Sequence, residues 1–143
     1  MLKKFTLVSN NICFGPCPES GDEVEQRLTV SSTGRVWFTG YAFCVSSGRY
    51  PVRRRIQTNI KAEHAQRLLD LLEIYFGEEH LIPMATDVGS WELMLYGESV
   101  STFNGSLCED LIVEDVPLSQ YIRQLVTIDD LFVFDGNPEP EEE

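Results

Sequence analysis

Four cysteines, two histidines and a scatter of carboxylates are the side chains here whose types suit chemistry. Cys13 and Cys17 are separated by three residues, Phe14-Gly15-Pro16, and followed by Pro18. A thioredoxin-like pair separates its cysteines by two residues at the start of a helix, whose dipole lowers the pKa of the attacking thiol. A proline-rich loop with the longer spacing supplies neither feature. Cys44 and Cys108 stand alone, whereas structural zinc sites draw on closely spaced ligand pairs. The four thiols are therefore expected to be reduced and held by core or loop packing. His64 and His80 have no neighbouring nucleophile or metal-ligand pattern, and His64 is expected in the exposed first turn of a helix.

Asp87, Glu92, Glu109, Asp110, Asp129, Asp130 and Asp135 could bring carboxylates together, and Asp135-Gly136-Asn137-Pro138-Glu139 offers alternate oxygen ligands. That run lacks the sixth-position glycine and the downstream bidentate glutamate of a calcium loop. Asp135-Gly136 reads more simply as a turn, and aspartates near helix starts as caps. The chain has no Gly-x-Ser-x-Gly elbow, no phosphate-cradling glycine loop and no dinucleotide fingerprint. No cofactor, metal ligand or catalytic residue is assigned from the sequence.

Charge is segregated. Residues 107–143 hold eleven acidic side chains and one basic one, Arg123, so this end supplies most of the net −12. Such an end repels nucleic acid, steers a basic protein surface towards itself, or keeps a small domain in solution. Arg53-Arg54-Arg55 is the one basic run. A strand would place Arg53 and Arg55 on one face and Arg54 with Val52 and Ile56 on the other, and pairing with the acidic C-terminal segment is expected rather than nucleic-acid binding.

The elements that would position these residues follow from hydrophobic spacing. With 43% hydrophobic and 24% charged residues, the composition is globular rather than disordered. Residues 2–8 read as a strand, and Gly15-Pro16-Cys17-Pro18 as the start of a loop. Residues 23–31, 35–46 and 50–58 read as an antiparallel meander, turned at Thr33-Gly34 and Gly48-Arg49. The middle strand has apolar residues on both faces: Val36, Phe38, Ala42 and Cys44 on one, Trp37, Tyr41, Phe43 and Val45 on the other. Either a second element covers the aromatic face, the expected outcome, or that face is presented to a partner.

Residues 61–76 repeat Ala65, Leu68, Leu69, Leu72, Tyr75 and Phe76 at helical spacing, with Asn59 as the expected N-cap and Gly77 as the stop. Residues 91–96 and 100–107 form a second hairpin around Gly97 to Ser99. Pro117 opens a short helix, with Asp115 expected at its positive end. Leu131-Phe132-Val133-Phe134 is expected to be extended. The apolar run ending at Val8 is too short for a signal peptide, and no stretch reaches the roughly 18 apolar residues of a membrane span, so a cytoplasmic protein is expected.

Four blocks carry a resemblance: Thr33-Gly34-Arg35-Val36-Trp37-Phe38, Ala85-Thr86-Asp87-Val88-Gly89-Ser90-Trp91-Glu92-Leu93, Phe103-Asn104-Gly105-Ser106-Leu107-Cys108, and Asp129-Asp130-Leu131-Phe132-Val133-Phe134-Asp135-Gly136-Asn137. In order and spacing they resemble an uncharacterised family of small proteins from gut Firmicutes. That implies a bacterial origin and carries no activity with it.

The expectation is an α+β fold: an antiparallel twisted sheet, meander plus second hairpin, packed by one long amphipathic helix and one short helix. Residues 1–137 would form one domain and residues 138–143 an acidic tail. The expected function is a non-catalytic protein-interaction module whose partner has a basic surface. Trp37, Tyr41, Phe43, Asp129, Asp130 and Asp135 are the candidate contacts. Two rivals are a phage or mobile-element counter-defence protein of the anti-CRISPR kind, whose carboxylates imitate DNA phosphates, and an enzyme using a carboxylate cluster.

Overall fold

The computed structural model describes residues 2–10, 22–43, 50–78 and 89–135. The chain forms β1 (Lys4–Asn10), β2 (Glu23–Ser31), β3 (Arg35–Ala42), β4 (Val52–Asn59), α1 (Ala62–Phe76), β5 (Ser90–Tyr96) and β6 (Val100–Ser106). The short strands β7 (Ile112–Val113) and β8 (Val116–Pro117) and the helix α2 (Leu118–Leu125) follow. Six strands make one antiparallel sheet in the order β4-β3-β2-β1-β5-β6, while β7 and β8 form a separate hairpin. The fold is α+β, with an antiparallel sheet, one long helix and one short helix. No helix among the described residues is long and apolar enough to cross a membrane.

Alternation sorts the strands onto two faces. Phe5 and Leu7, Leu28 and Val30, Val36 and Phe38, and Trp91, Leu93 and Leu95 point inward and are buried. β1 sits between β2 and β5, with Leu7 opposite both Leu28 and Leu93, so the first strand of the chain lies near the centre of the sheet. α1 buries Ala65, Leu68, Leu69, Leu71, Leu72 and Tyr75 in the same core, and α2 adds Leu118 and Ile122. Full burial of one such leucine contributes roughly 1.5–3 kcal/mol. Leu131, Phe132, Val133 and Phe134 are all buried, but the segment forms only an isolated bridge at Val133 and turns at Phe134. The aromatic stretch at the acidic end therefore belongs to the core and not to the surface.

Several local details differ from expectation. Asn59 does not cap α1: it pairs with Arg35 at the end of β4, and Ile60 N–H donates to Gly34 O at 2.8 Å, so the sheet holds the backbone there. Lys61 takes the N-cap position and makes no side-chain cap bond. Gly34 has φ +94°, and a methyl group on it would overlap the Ile60 carbonyl, so the turn needs glycine for both reasons. Asp115 does not cap α2 either, because it sits in the β7–β8 turn with φ 63°. Asp110 does this work, its Oδ1 accepting from Leu111 N–H and Ser119 N–H, each at 2.7 Å. The arginine run does not alternate simply: the register shifts between Gly40 and Tyr41, a bulge that leaves Val52 opposite Tyr41 and Arg54 opposite Gly40.

Candidate functional site: the open sheet face and its acidic margin

The helices, the β7–β8 hairpin and the C-terminal segment pack on the inner face of the sheet. Coverage, expected for both faces of β3, holds for one. Phe38 is 1% exposed on the inner face while Trp37 beside it is 37% exposed on the outer face. The physical reason is topological: both helices and residues 131–134 go to the same side, and no described element remains for the other.

Register places the surroundings of Trp37. Thr29 and Gln57 lie directly opposite it on β2 and β4, and Arg27 and Arg55 are both opposite Thr39, two residues along. Such diagonal neighbours stand about 7–8 Å apart. Arg35 lies two residues back on β3 itself. The exposed ring is thus flanked by three exposed guanidinium groups, none with an ion-pair partner among the described residues. Across β1 and β5 the face continues with Thr6 bonded to Thr29 (2.9 Å between hydroxyls) and with Lys4, whose ammonium lies 4.8 Å from the Tyr96 ring centre. Glu25, which accepts from Asn10 at 3.4 Å, and Glu92 are the carboxylates facing the same way. The outer face therefore carries more positive than negative charge on a chain of net −12.

The expected contact residues separate into two groups on opposite sides of the sheet. Trp37 and Tyr41 belong to the outer face. Phe43 follows β3 half-exposed, its ring 6.1 Å from that of Tyr50. Asp129, Asp130 and Asp135 sit on the helical side, and the structure does not bring them to the aromatics. Asp135 pairs in bidentate fashion with Arg123, at 2.8 and 3.0 Å, and Arg123 also donates to Leu131 O. The side chains of Asp129 and Asp130 are exposed, but their carbonyls are anchored.

The anchor is a polar cluster on the inner face. A second bulge, between Glu23 and Glu25, turns Glu23 inward beside Gln26. Gln26 is 1% exposed, donates to Asp130 O at 2.6 Å and accepts from Phe132 N–H at 2.7 Å. Arg54 donates to both Glu23 oxygens, at 2.7 and 2.8 Å, and to Asp129 O at 2.7 Å. Its guanidinium lies 4.9 Å from the Phe38 ring centre. The basic run does meet the acidic segment, through a backbone carbonyl, while its carboxylate partner is Glu23. Gly40 leaves room for this, since a methyl group on it would overlap the Glu23 carboxylate. Burial pushes the Glu23 pKa up, but hydrogen bonds from Arg54 and Gln26 and the charges of Arg54 and Arg53 outweigh it and hold the carboxyl below its ordinary 4.5. The bond to Glu23 in turn raises the Arg54 pKa.

Compared with models of known protein families the chain matches none, and no curated protein matches it. The remaining chemistry-bearing residues lie apart. Cys108 is a free, exposed thiol and His64 is exposed in the first turn of α1. Among the described residues no group of three or more histidine, cysteine, aspartate or glutamate side chains converges. Cys13, Cys17, Cys44, His80, Asp87 and residues 136–143 lie outside the described residues. Arg27, Arg35 and Gln26 were not singled out from sequence as site residues; Arg55 was read only as part of the basic run and Asp110 only among the scattered carboxylates. Arg27 and Arg35 were findable, because a hairpin around Gly34 puts them on the face of Trp37 by period two alone, whereas Arg55 is placed there by the β3–β4 register.

Proposed function

We propose that this protein is a non-catalytic protein-interaction module that docks its partner on the open face of the sheet. The observation that carries this reading is the exposure of Trp37 amid Arg27, Arg35 and Arg55, which have no ion-pair partner among the described residues. An exposed indole in a ring of guanidinium groups supplies an apolar anchor and donors for carboxylates, the residue types that dominate protein interfaces. The partner surface is acidic where it meets this face. A basic partner remains the reading for the opposite side, where Asp129 and Asp130 expose their carboxylates. The DNA-mimic reading is supported less, because Asp110 and Asp135 are committed to internal bonds. The enzyme reading is supported less because the described carboxylates hold separate structural positions.

The test is retention of partners from cell extract by three immobilised proteins: the parent chain, Trp37→Ala with Arg27→Glu and Arg55→Glu, and Asp129→Asn with Asp130→Asn. Loss of a specific partner from the sheet-face variant alone is the expected result. Loss from the aspartate variant alone would move the site to the acidic side. Tight binding of a labelled single-stranded oligonucleotide, abolished by Trp37→Ala, would replace the protein partner with nucleic acid.

A further inference from the structure

Beyond the open face, the two edges of the sheet differ in a way that matters for recognition. The unpaired side of an edge strand is a template for another strand, and proteins blunt it with charge, proline or bulges. β4, one edge, is blunted twice, by Arg53, Arg54 and Arg55 and by its bulge. β6, the other edge among the described residues, has no such protection from Val100 to Gly105. It pairs with β5 in unbroken register from Tyr96↔Val100 to Ser90↔Ser106, contains no charged residue and no proline, and exposes Val100 by 58%.

A groove of about 290 Å³ opens at the β5–β6 turn, between the inner face of β5 and β6 and the C-terminal end of α1, and reaches the edge strand at Ser101 and Phe103. Leu2, Phe76, Leu95 and Phe103 line it, with Glu73 and Glu98 at its rim. Phe76 and Phe103 are half-buried, their ring centres 4.6 Å apart. A strand added to β6 would send the residues opposite Ser101 and Phe103 into this groove, because those two positions share the inward face with Leu95 and Leu93.

We propose that β6 accepts an extended segment of a partner protein as a seventh strand. That segment places large apolar side chains in the Phe76–Phe103 groove and a lysine or arginine at its end near Glu98. Charge selects the occupant: the groove rim is acidic and favours a basic flank, whereas a second copy of this chain brings its own net −12 against the first. Backbone hydrogen bonds supply affinity, and the groove and rim supply selectivity.

The experiment uses the full chain and a synthetic probe, acetyl-Lys-Thr-Phe-Thr-Leu-Thr-Lys-amide, with two derivatives N-methylated on alternate amides. An added strand turns one set of amides towards β6 and the other away. One derivative should therefore lose about tenfold or more in affinity, for the several hydrogen bonds removed, while the other binds like the parent. Ser101→Arg, at an exposed position lining the groove, should abolish binding. Glu98→Lys should weaken it and restore binding to a probe with glutamate at both ends. Amide exchange should slow along β6 when the probe binds. Equal binding of both methylated derivatives, or no binding at millimolar probe, overturns the proposal. So does concentration-dependent dimerisation that slows exchange at β6, which would make a second copy the occupant.

Discussion

Glu23, Gln26 and Arg54 tie residues 129–132 to strands β2 and β4, through bonds spanning up to 106 positions of sequence. Removing Arg54 leaves a carboxylate of low exposure without its main partner and an anchored carbonyl without its donor. Arg54→Ala should cost on the order of 3 kcal/mol, read from urea unfolding, with faster exchange at Phe132 N–H. Unchanged stability would show that the cluster does not hold the segment. The same cluster sets a pH dependence. Folding lowers the Glu23 pKa below its ordinary 4.5, so the unfolded chain takes up the proton first as pH falls. The contribution is thus complete above that ordinary value and drains away as pH drops through the lower, folded value. Glu23→Gln should flatten this part of the stability profile as pH falls below the ordinary 4.5, and an identical acid limb in both proteins would discard the assignment.

α1 is the element most dependent on a single face. Leu69 is 2% exposed in the core that α1 shares with the sheet, and Leu69→Ala should cost about 2–5 kcal/mol in thermal or urea unfolding according to how far the site collapses. The β7–β8 hairpin is strained in a defined way. Its two turn residues, Glu114 and Asp115, have φ 48° and 63°, the left-handed conformation of a turn for which Asn-Gly is the preferred pair. Glu114→Asn with Asp115→Gly should stabilise the protein by about 1 kcal/mol, despite losing the exposed 3.7 Å pair of Glu114 with Arg67. A lower melting temperature would mean that the pair matters more than the strain.

Among the described residues charge is two-sided, with Lys4, Arg27, Arg35 and Arg55 outnumbering Glu25 and Glu92 on the open face, and Asp129, Asp130, Glu109 and Glu114 on the helical side. Association with an acidic partner through the open face should weaken steeply with salt, because exposed charges are screened beyond about 8 Å at physiological ionic strength. Arg27→Gln with Arg55→Gln should lower the on-rate and flatten that dependence, while Trp37→Ala should mainly raise the off-rate. Equal salt slopes for the parent and the arginine variant, measured by surface-immobilised kinetics, would remove the steering role of the face.

Local spacing alone determined the identity of the elements. Leu68, Leu69 and Leu72 marked α1, alternation in residues 23–31 and 91–96 marked strands, and Thr33-Gly34 marked a tight turn, because each depends on residues a few positions apart. The excess of acid was equally plain from the chain. Tertiary structure alone decided which apolar face of β3 is covered, which strands are edges, and that the Leu131 to Phe134 stretch is core. It also exchanged Asp115 for Asp110 at α2 and gave Arg54 a carboxylate from β2, since a hydrogen-bond partner is chosen by proximity in space. Trp37 and Phe38 show the limit most directly. Both are aromatic and adjacent in one strand, and only the side taken by elements more distant in sequence left the first exposed at 37% and the second at 1%.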